Sequence, residues 1–517
     1  MLPPNSDDTA SGPTCWRDRW RQLERPHLPP FLKVFWLDKS EFCANTETDR
    51  VRFSAAATAD RILPQRLASR VRPLFVRIDD ILFSADERGE AGRMSLIAFT
   101  IRVISAAIAF ISQVMMARWM GSFEYGIFVL VWVTMLIIGS ISCLGFSTSV
   151  IRFIPEFRER AMLEELRGIV LSSRYFVLAA STAIAGVGAL GAWLFSPWIE
   201  DYYFVPFLLG IFCIPMIALT DLMQGMSRAY SWALSALFPT FITRPILILV
   251  FMALAIWFGF PPDAKTAILS AIAATYLTAV LQLASLTARL DTLIPTGPMR
   301  VNLRYWLAVS LPIFLVDGFF YLLTNADVLM VGLYLDPDQV AVYFATVKTL
   351  ALVHFVYFAV KAGVAQRYAQ FMHGGDASRL ASFARETVSW TFWPSLAMAA
   401  VVLILGEPML ALFGEEFVDG YPLLFVLVVG VVARASVGPC ESLLTMSGNQ
   451  NVCAAVNATT LAFNIGLNML LLPLFGLWGA AAATALAMMF EAVALSFTVW
   501  RRLGIVMSIL IPVRSAA

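Results

Sequence analysis

From residue 95 to residue 500 the chain is built of long apolar runs separated by short polar loops. A helix of about 20 residues, rising about 1.5 Å per residue, just crosses the roughly 30 Å hydrocarbon slab of a bilayer. Twelve runs of that kind are read, at 96–118, 126–148, 169–195, 203–223, 233–258, 267–288, 305–330, 340–363, 387–413, 421–446, 452–474 and 478–500. No water is available inside the slab, so each run must pair its own backbone groups as a helix. The predicted fold is an all-α polytopic membrane protein with about twelve transmembrane helices. Composition agrees: 59% of residues are hydrophobic and 14% charged, against about 45–50% and about 25% in an ordinary soluble domain. A soluble globular enzyme is therefore excluded as the default reading.

Charge divides the chain. Residues 1–93 hold 15 Lys+Arg and 14 Asp+Glu, and the remaining 424 residues hold only 22 of each. The first segment reads as a cytoplasmic extension, largely disordered, with an alternating basic and apolar stretch at 61–83 suited to an amphipathic helix on an anionic leaflet or to a solvated linker. The first 30 residues are polar and Pro-rich and carry no signal-peptide pattern. The net charge of +1 gives no argument for nucleic acid. Six cysteines without a C-x-x-C give neither a metal site nor a disulfide framework.

Loop charges set orientation. With the N-terminus in the cytoplasm, the inside loops carry Arg152, Arg158, Arg160, Arg167, Arg228, Arg289, Arg300, Arg304, Arg367, Arg379, Arg385, Arg501, Arg502 and Arg514, and the outside loops only Lys265 clear of a helix end. Both termini are thus expected inside. The apolar tail after Arg501 is expected at the interface, as are Trp119, Trp193, Trp198, Trp257, Trp306, Trp478 and Trp500 near helix ends.

The chain also repeats itself. At an offset of 215, Glu124 meets Gln339, Phe128 meets Tyr343 and Arg152 meets Arg367; near 220, Asp221 meets Glu441 and Met226-Ser227 meets Met446-Ser447. Two lobes of six helices follow, 94–290 and 305–500, joined by a cytoplasmic loop at 291–304 and followed by a cytoplasmic tail at 501–517. Six is even, so both lobes share one orientation. Their pseudo-twofold axis then runs along the membrane normal, with a binding site between the lobes.

Three stretches carry a family resemblance: ARWMGSFEYGIFVLVWV…LGFSTSVIRFIPEF (117–157), SLPIFLVDGFFYLLTNADVLMVGLYL…VAVYFATVKTL (310–350), and MLALFGEEFVDGYPLLFVL…LLTMSGNQNV…NMLLLPLFGLWGAAAATALA (409–487). By these the chain resembles the polysaccharide-export branch of the multidrug/oligosaccharidyl-lipid/polysaccharide (MOP) superfamily, whose best-known members are the O-antigen (Wzx-type) flippases. The long N-terminal extension departs from the family pattern, whose members often start close to the first helix, so the resemblance implies Met94 as an alternative start. The resemblance implies an inverted-V, alternating-access fold. It also implies a polyprenyl-pyrophosphate-linked oligosaccharide turned from the inner to the outer leaflet of the bacterial inner membrane. Polysaccharide polymerase and glycosyltransferases are the implied partners, and a monomer suffices because two lobes already enclose a cavity.

An ionisable side chain inside a membrane helix is costly and is a functional candidate. Cations in a cavity would offset the lost hydration of phosphates, and the Arg fork bonds phosphate bidentately. Arg102, Arg244, Lys348 and Arg434 are the candidate substrate-binding cations, set against structural ion pairs or snorkelling. Arg174 and Lys361 lie near helix ends, where snorkelling is the stronger reading. Asp317, Asp327, His354, Asp221, Glu441 and Glu491 are candidates for gating or ion coupling. Asp317 is the repeat mate of Arg102, and the two form a possible bridge between lobes. Asp327 has a structural cap as its rival reading. Asp221 and Glu441 sit at inner helix ends, Glu491 needs a partner or a proton, and His354 shares a helix face with Lys361.

No G-x-x-x-x-G-K-[ST], G-x-S-x-G or H-E-x-x-H occurs, so no ATP site, catalytic residue, metal or cofactor is expected. Energy would come from a proton or sodium gradient, or from removal of cargo outside. Two other readings stay open. One is an ion-coupled multidrug exporter of the same superfamily, disfavoured because Asp221 is the one acid in the first six runs. The other is a membrane glycan polymerase, disfavoured by the short outer loops.

Overall fold

The computed structural model describes residues 87–373 and 377–509. The readings of residues 1–86 and Arg514, and of the side chains of Arg102 and Asp317, lie outside the described residues. All described elements are helices. The first crossing runs over 103–120 and the second over 122–159, broken by a turn at 142–145. The third to sixth are Leu163–Leu194, Asp201–Ala229, Ala233–Trp257 and Ala264–Leu293. The seventh is Leu303–Tyr334 and the eighth Pro337–His373. The last four are Ala377–Ala411, Glu415–Met446, Gln450–Phe475 and Leu477–Leu503. Twelve crossings therefore stand among the described residues, and they are called spans 1 to 12 below.

The repeat read from side chains is also written in the backbone. Helix starts at Glu87, Leu163, Asp201, Ala233 and Ala264 have counterparts at Leu303, Ala377, Glu415, Gln450 and Leu477, offset by 216, 214, 214, 217 and 213 residues. The elbow between spans 1 and 2 is Gly121, at φ +75°, a conformation that costs glycine little. Its counterpart at offset 215 is Asp336, in the break between spans 7 and 8. The side of the molecule holding both breaks is called the elbow end, and the opposite side the tail end.

The two halves share an apolar core at the elbow end. One apolar cluster there joins Met116–Ile137 positions of spans 1 and 2 to Val328–Val353 positions of spans 7 and 8, with Phe413 and Phe417. Phe128 and Tyr343, the repeat mates, are both buried in it. A Cβ on Gly126 would stand 1.8 Å from the backbone oxygen of Pro337, so only glycine lets span 2 approach span 8 this closely. Gly126→Ala is expected to destabilise the protein by about 3 kcal/mol, the upper end of overpacking costs. A lowered melting temperature in detergent would show it.

Two further clusters fill the tail end, one shared by span 7 with the first half and one within the second half, and the first corrects a sequence expectation. Trp306 is not an interface anchor: it is 1% exposed in the cluster that the start of span 7 shares with the first half. The described part of the tail after Arg501, to residue 509, packs on the second half. Met507 is fully buried beside Cys440, and the N–H of Ile509 donates to the oxygen of Ser436 at 2.9 Å. Residues 505–509 thus close over the break in span 10 at Ser436–Pro439, where the carbonyl of Ser436 needs a donor. Trp119 packs on the elbow-end core, whereas Trp193, Trp198, Trp257, Trp478 and Trp500 are exposed.

Candidate functional site

A cavity of about 520 Å³ lies between the halves. Spans 1 and 5 contribute Ile101, Ala106, Ala109, Leu237, Phe241 and Pro245, with the hydroxyls of Ser105 and Thr240. Spans 7, 8, 10 and 12 contribute the titratable side chains: Asp327, Lys348, His354, Lys361, Arg434, Glu441 and Glu491.

Span 8 arranges most of its groups by helical spacing. His354, Tyr357 and Lys361 fall at i, i+3 and i+7 and so share one face, and all three reach the cavity. The break in span 10 lets Glu441, just past it, bond Arg434, just before it. Glu441 accepts from Lys361 Nζ through Oε2 at 2.6 Å and from Arg434 Nη2 through Oε1 at 2.8 Å. Arg434 Nε donates to Glu491 Oε2 at 2.9 Å. Tyr357 ties the group together: its hydroxyl donates to Glu441 at 3.3 Å and accepts from Arg434 at 3.2 Å, and its ring lies 5.0 Å from the guanidinium. Two cations and two carboxylates balance, as buried charges must. Nη1 of Arg434 is buried and has no hydrogen-bond partner among the described residues.

Nearer the elbow end, Asp327 accepts from the backbone N–H of Val328 at 2.9 Å and from the hydroxyl of Tyr343 at 3.1 Å; Tyr343 in turn contacts Thr484 at 3.1 Å. Lys348 lies 4.7 Å from the ring of Phe344 and interacts electrostatically with Asp327. It makes no ion pair among the described residues, unlike Arg434 and Lys361.

Arg244 is placed differently from the sequence expectation. Pro245 lines the cavity, but Arg244 is not among the lining residues. It is buried within the first half, 5.8 Å from the ring of Trp132 and in electrostatic range of Asp221. A π-helical turn at Pro239–Thr243 precedes it; such a turn adds a residue and rotates everything that follows. Asp221 accepts from Ser140 at 2.6 Å. The repeat mates Asp221 and Glu441 therefore sit in separate halves, each bonded within its own half. Arg174 donates to Thr287 at 3.0 Å rather than snorkelling free.

Sequence reasoning missed a polar stripe on span 11. Asn457, Thr460, Asn464 and Asn468 recur at helical spacing, all at most 5% exposed, and Thr460 and Asn464 reach the cavity. The signal was present: three asparagines on one face of an otherwise apolar run. Tyr343, Tyr357 and Thr484 were also missed, because an uncharged side chain in a membrane helix draws no attention until its partner is known.

The family model for "Polysaccharide biosynthesis protein" matches residues 92–365, just over half of the chain. The chain belongs to the polysaccharide biosynthesis protein family. A second model, MatE, matches residues 312–470. Among curated proteins none matches the sequence. Solved structures place this member of the family in the MOP superfamily fold. An inward-facing multidrug resistance MATE family transporter has a TM-score of 0.62 at 15% identity, covering 79% of this chain and 94% of its own. The lipid II flippase MurJ in an inward closed conformation gives 0.62 at 14%, with 78% and 87% covered. A MOP superfamily transporter from Pyrococcus furiosus, described as having a binding pocket of reverse polarity, gives 0.59 at 14%, with 82% and 97% covered. This polysaccharide biosynthesis protein is thus a multi-pass membrane protein with the fold of those transporters and of that flippase.

Proposed function

We propose that the protein turns a polyprenyl-pyrophosphate-linked oligosaccharide, an O-antigen or exopolysaccharide repeat unit or a related glycan, from the inner to the outer leaflet of the bacterial inner membrane. Both termini are cytoplasmic, so the elbow end faces outward. The observation that carries this reading is the two-sided cavity wall, apolar on spans 1 and 5 and charged or amide-bearing on spans 8, 10 and 11. Such a wall suits a cargo that is itself amphipathic. A cavity of about 520 Å³ has the size of ordinary small-ligand sites; it receives the pyrophosphate and first sugars, while the prenyl chain stays in lipid. Lys348 and the spare N–H of Arg434 are the groups offered to phosphate. The family description and a lipid II flippase among the fold relatives support a lipid-borne glycan.

Multidrug export is the rival within the superfamily. A cationic drug needs a free acid; here Glu441 and Glu491 are neutralised by ion pairs, and Asp327, the third cavity acid, is held by the Val328 N–H and the Tyr343 hydroxyl with Lys348 as its electrostatic neighbour. Asp327 is the candidate group for proton or sodium coupling, since it joins spans 7, 8 and 12 through Tyr343 and Thr484. No catalytic residue is proposed; a polymerase and glycosyltransferases are the proposed partners of a monomer. Native mass spectrometry of the purified protein with polyprenyl-pyrophosphate glycan and with lipophilic cations tests the assignment. Retention of the glycan lipid and not the cations is expected; retention of the cations alone contradicts it.

A further inference from the structure

Arg118 stands at the elbow end, where loop cations are scarce. On the reading above it lies outside, a place the positive-inside bias leaves poor in arginine, so its presence calls for a physical reason. The structure supplies one. Arg118 comes from span 1 of the first half, but Nε donates to the oxygen of Leu412 at 2.7 Å and Nη2 to that of Ala411 at 2.7 Å, at the end of span 9 in the second half. Terminal carbonyls of a helix have no partner within it and carry the negative end of its dipole. A guanidinium fork answers both at once.

Neighbouring bonds cross the same seam. The N–H of Ser122 donates to Glu416 at 3.1 Å, and the hydroxyl of Ser122 donates to Asp338. Beneath them Phe110 meets Phe413 edge-on at 5.4 Å, and Tyr125 meets Phe417 at 6.1 Å. These apolar contacts lie between the elbow end and the cavity. The repeat mate of Arg118 at offset 215 is Leu333, which is 76% exposed. The scaffold that repeats therefore does not need a cation here, and the fork is a one-sided addition.

We propose that Arg118 is the latch that holds the two halves together at the elbow end, and that its release from the Ala411 and Leu412 carbonyls accompanies opening of the cavity to that side. The latch is exposed, so a released guanidinium returns to water at little cost. That makes it a bias on the equilibrium rather than a permanent bond. The proposal concerns access to the cavity and holds whichever cargo uses it.

The test introduces Ala109→Cys, on the cavity wall in span 1, into the otherwise intact chain. A membrane-impermeant maleimide is applied to each side of oriented vesicles, and the chain that keeps Ala109 gives the background. Arg118→Gln is expected to speed labelling from the elbow side about tenfold, the shift that about 1.4 kcal/mol produces. Arg118→Lys should fall between, because an ammonium lacks the planar fork. Glu416→Gln, which weakens the adjacent bond and leaves Arg118 in place, should give a smaller increase and serves if Arg118→Gln does not accumulate. Unchanged or slower labelling from the elbow side in these variants, or faster labelling only from the tail side, would overturn the latch.

Discussion

Replacing Arg434 with alanine is expected to cost about 3–5 kcal/mol, the range for removing one partner of a buried ion network. The sign follows from what remains. Glu441 keeps Lys361 at 2.6 Å, but Glu491 loses the guanidinium that was its ion-pair partner at 2.9 Å, among side chains only about a tenth exposed. Both carboxylates then share a buried region with one cation fewer, and the bridges between spans 8, 10 and 12 made by Arg434 go with it. A melting temperature lower by several degrees in detergent is the readout. Arg434→Lys should recover part of the loss, because it restores the charge without the fork. Adding Glu491→Gln to Arg434→Ala should recover more, since it removes the stranded carboxylate. If Arg434→Ala melts with the parent protein, the network is not what joins these spans.

Lys348→Glu is expected to abolish export of the glycan, with a fall of about 100-fold in surface polymer. Lys348 is the cavity cation without an ion pair among the described residues, and Asp327 is its electrostatic neighbour. Reversal replaces an attraction for phosphate with a repulsion, and two charge-assisted bonds at about 1.5 kcal/mol each amount to that factor. Lys348→Arg should retain most export and Lys348→Gln little, which separates loss of the cation from crowding of two acids around Asp327. Protein level is followed by immunoblot. Export undiminished in Lys348→Glu at normal protein level would remove Lys348 from the binding role; a gain of resistance to cationic drugs in the same variant would favour the rival cargo.

Much of the fold was legible because the bilayer imposes length and apolarity on every crossing, so that twelve runs and their repeat could be read directly. What could not be read was which face of each run points where. In a soluble helix the polar stripe marks the outside, but a membrane helix is apolar toward lipid and toward its neighbours alike. Arg244 illustrates the difficulty: it and Pro245 are adjacent, yet only Pro245 meets the cavity, after a π turn that no residue pattern announces. Trp306 resembles the exposed Trp257 in its position near a helix end, but an inner cluster encloses it. Glu491 was seen to need a partner, and Arg434 was seen separately as a cation; 57 residues of chain and a break in span 10 separate the two sequence positions that the fold brings to 2.9 Å. Gly126 marks a close approach, but only the structure names Pro337 as what it approaches.

The central claim, that a lipid-linked glycan is the cargo, is tested most directly in a clean deletion strain by quantifying the polyprenyl-linked oligosaccharide together with the surface polysaccharide. Loss of the surface polymer with the lipid-linked precursor retained or accumulated, both restored by the intact gene, is the result expected of a flippase. Unchanged polymer and unchanged precursor, in a strain with no second flippase, would contradict it and point to small-molecule export.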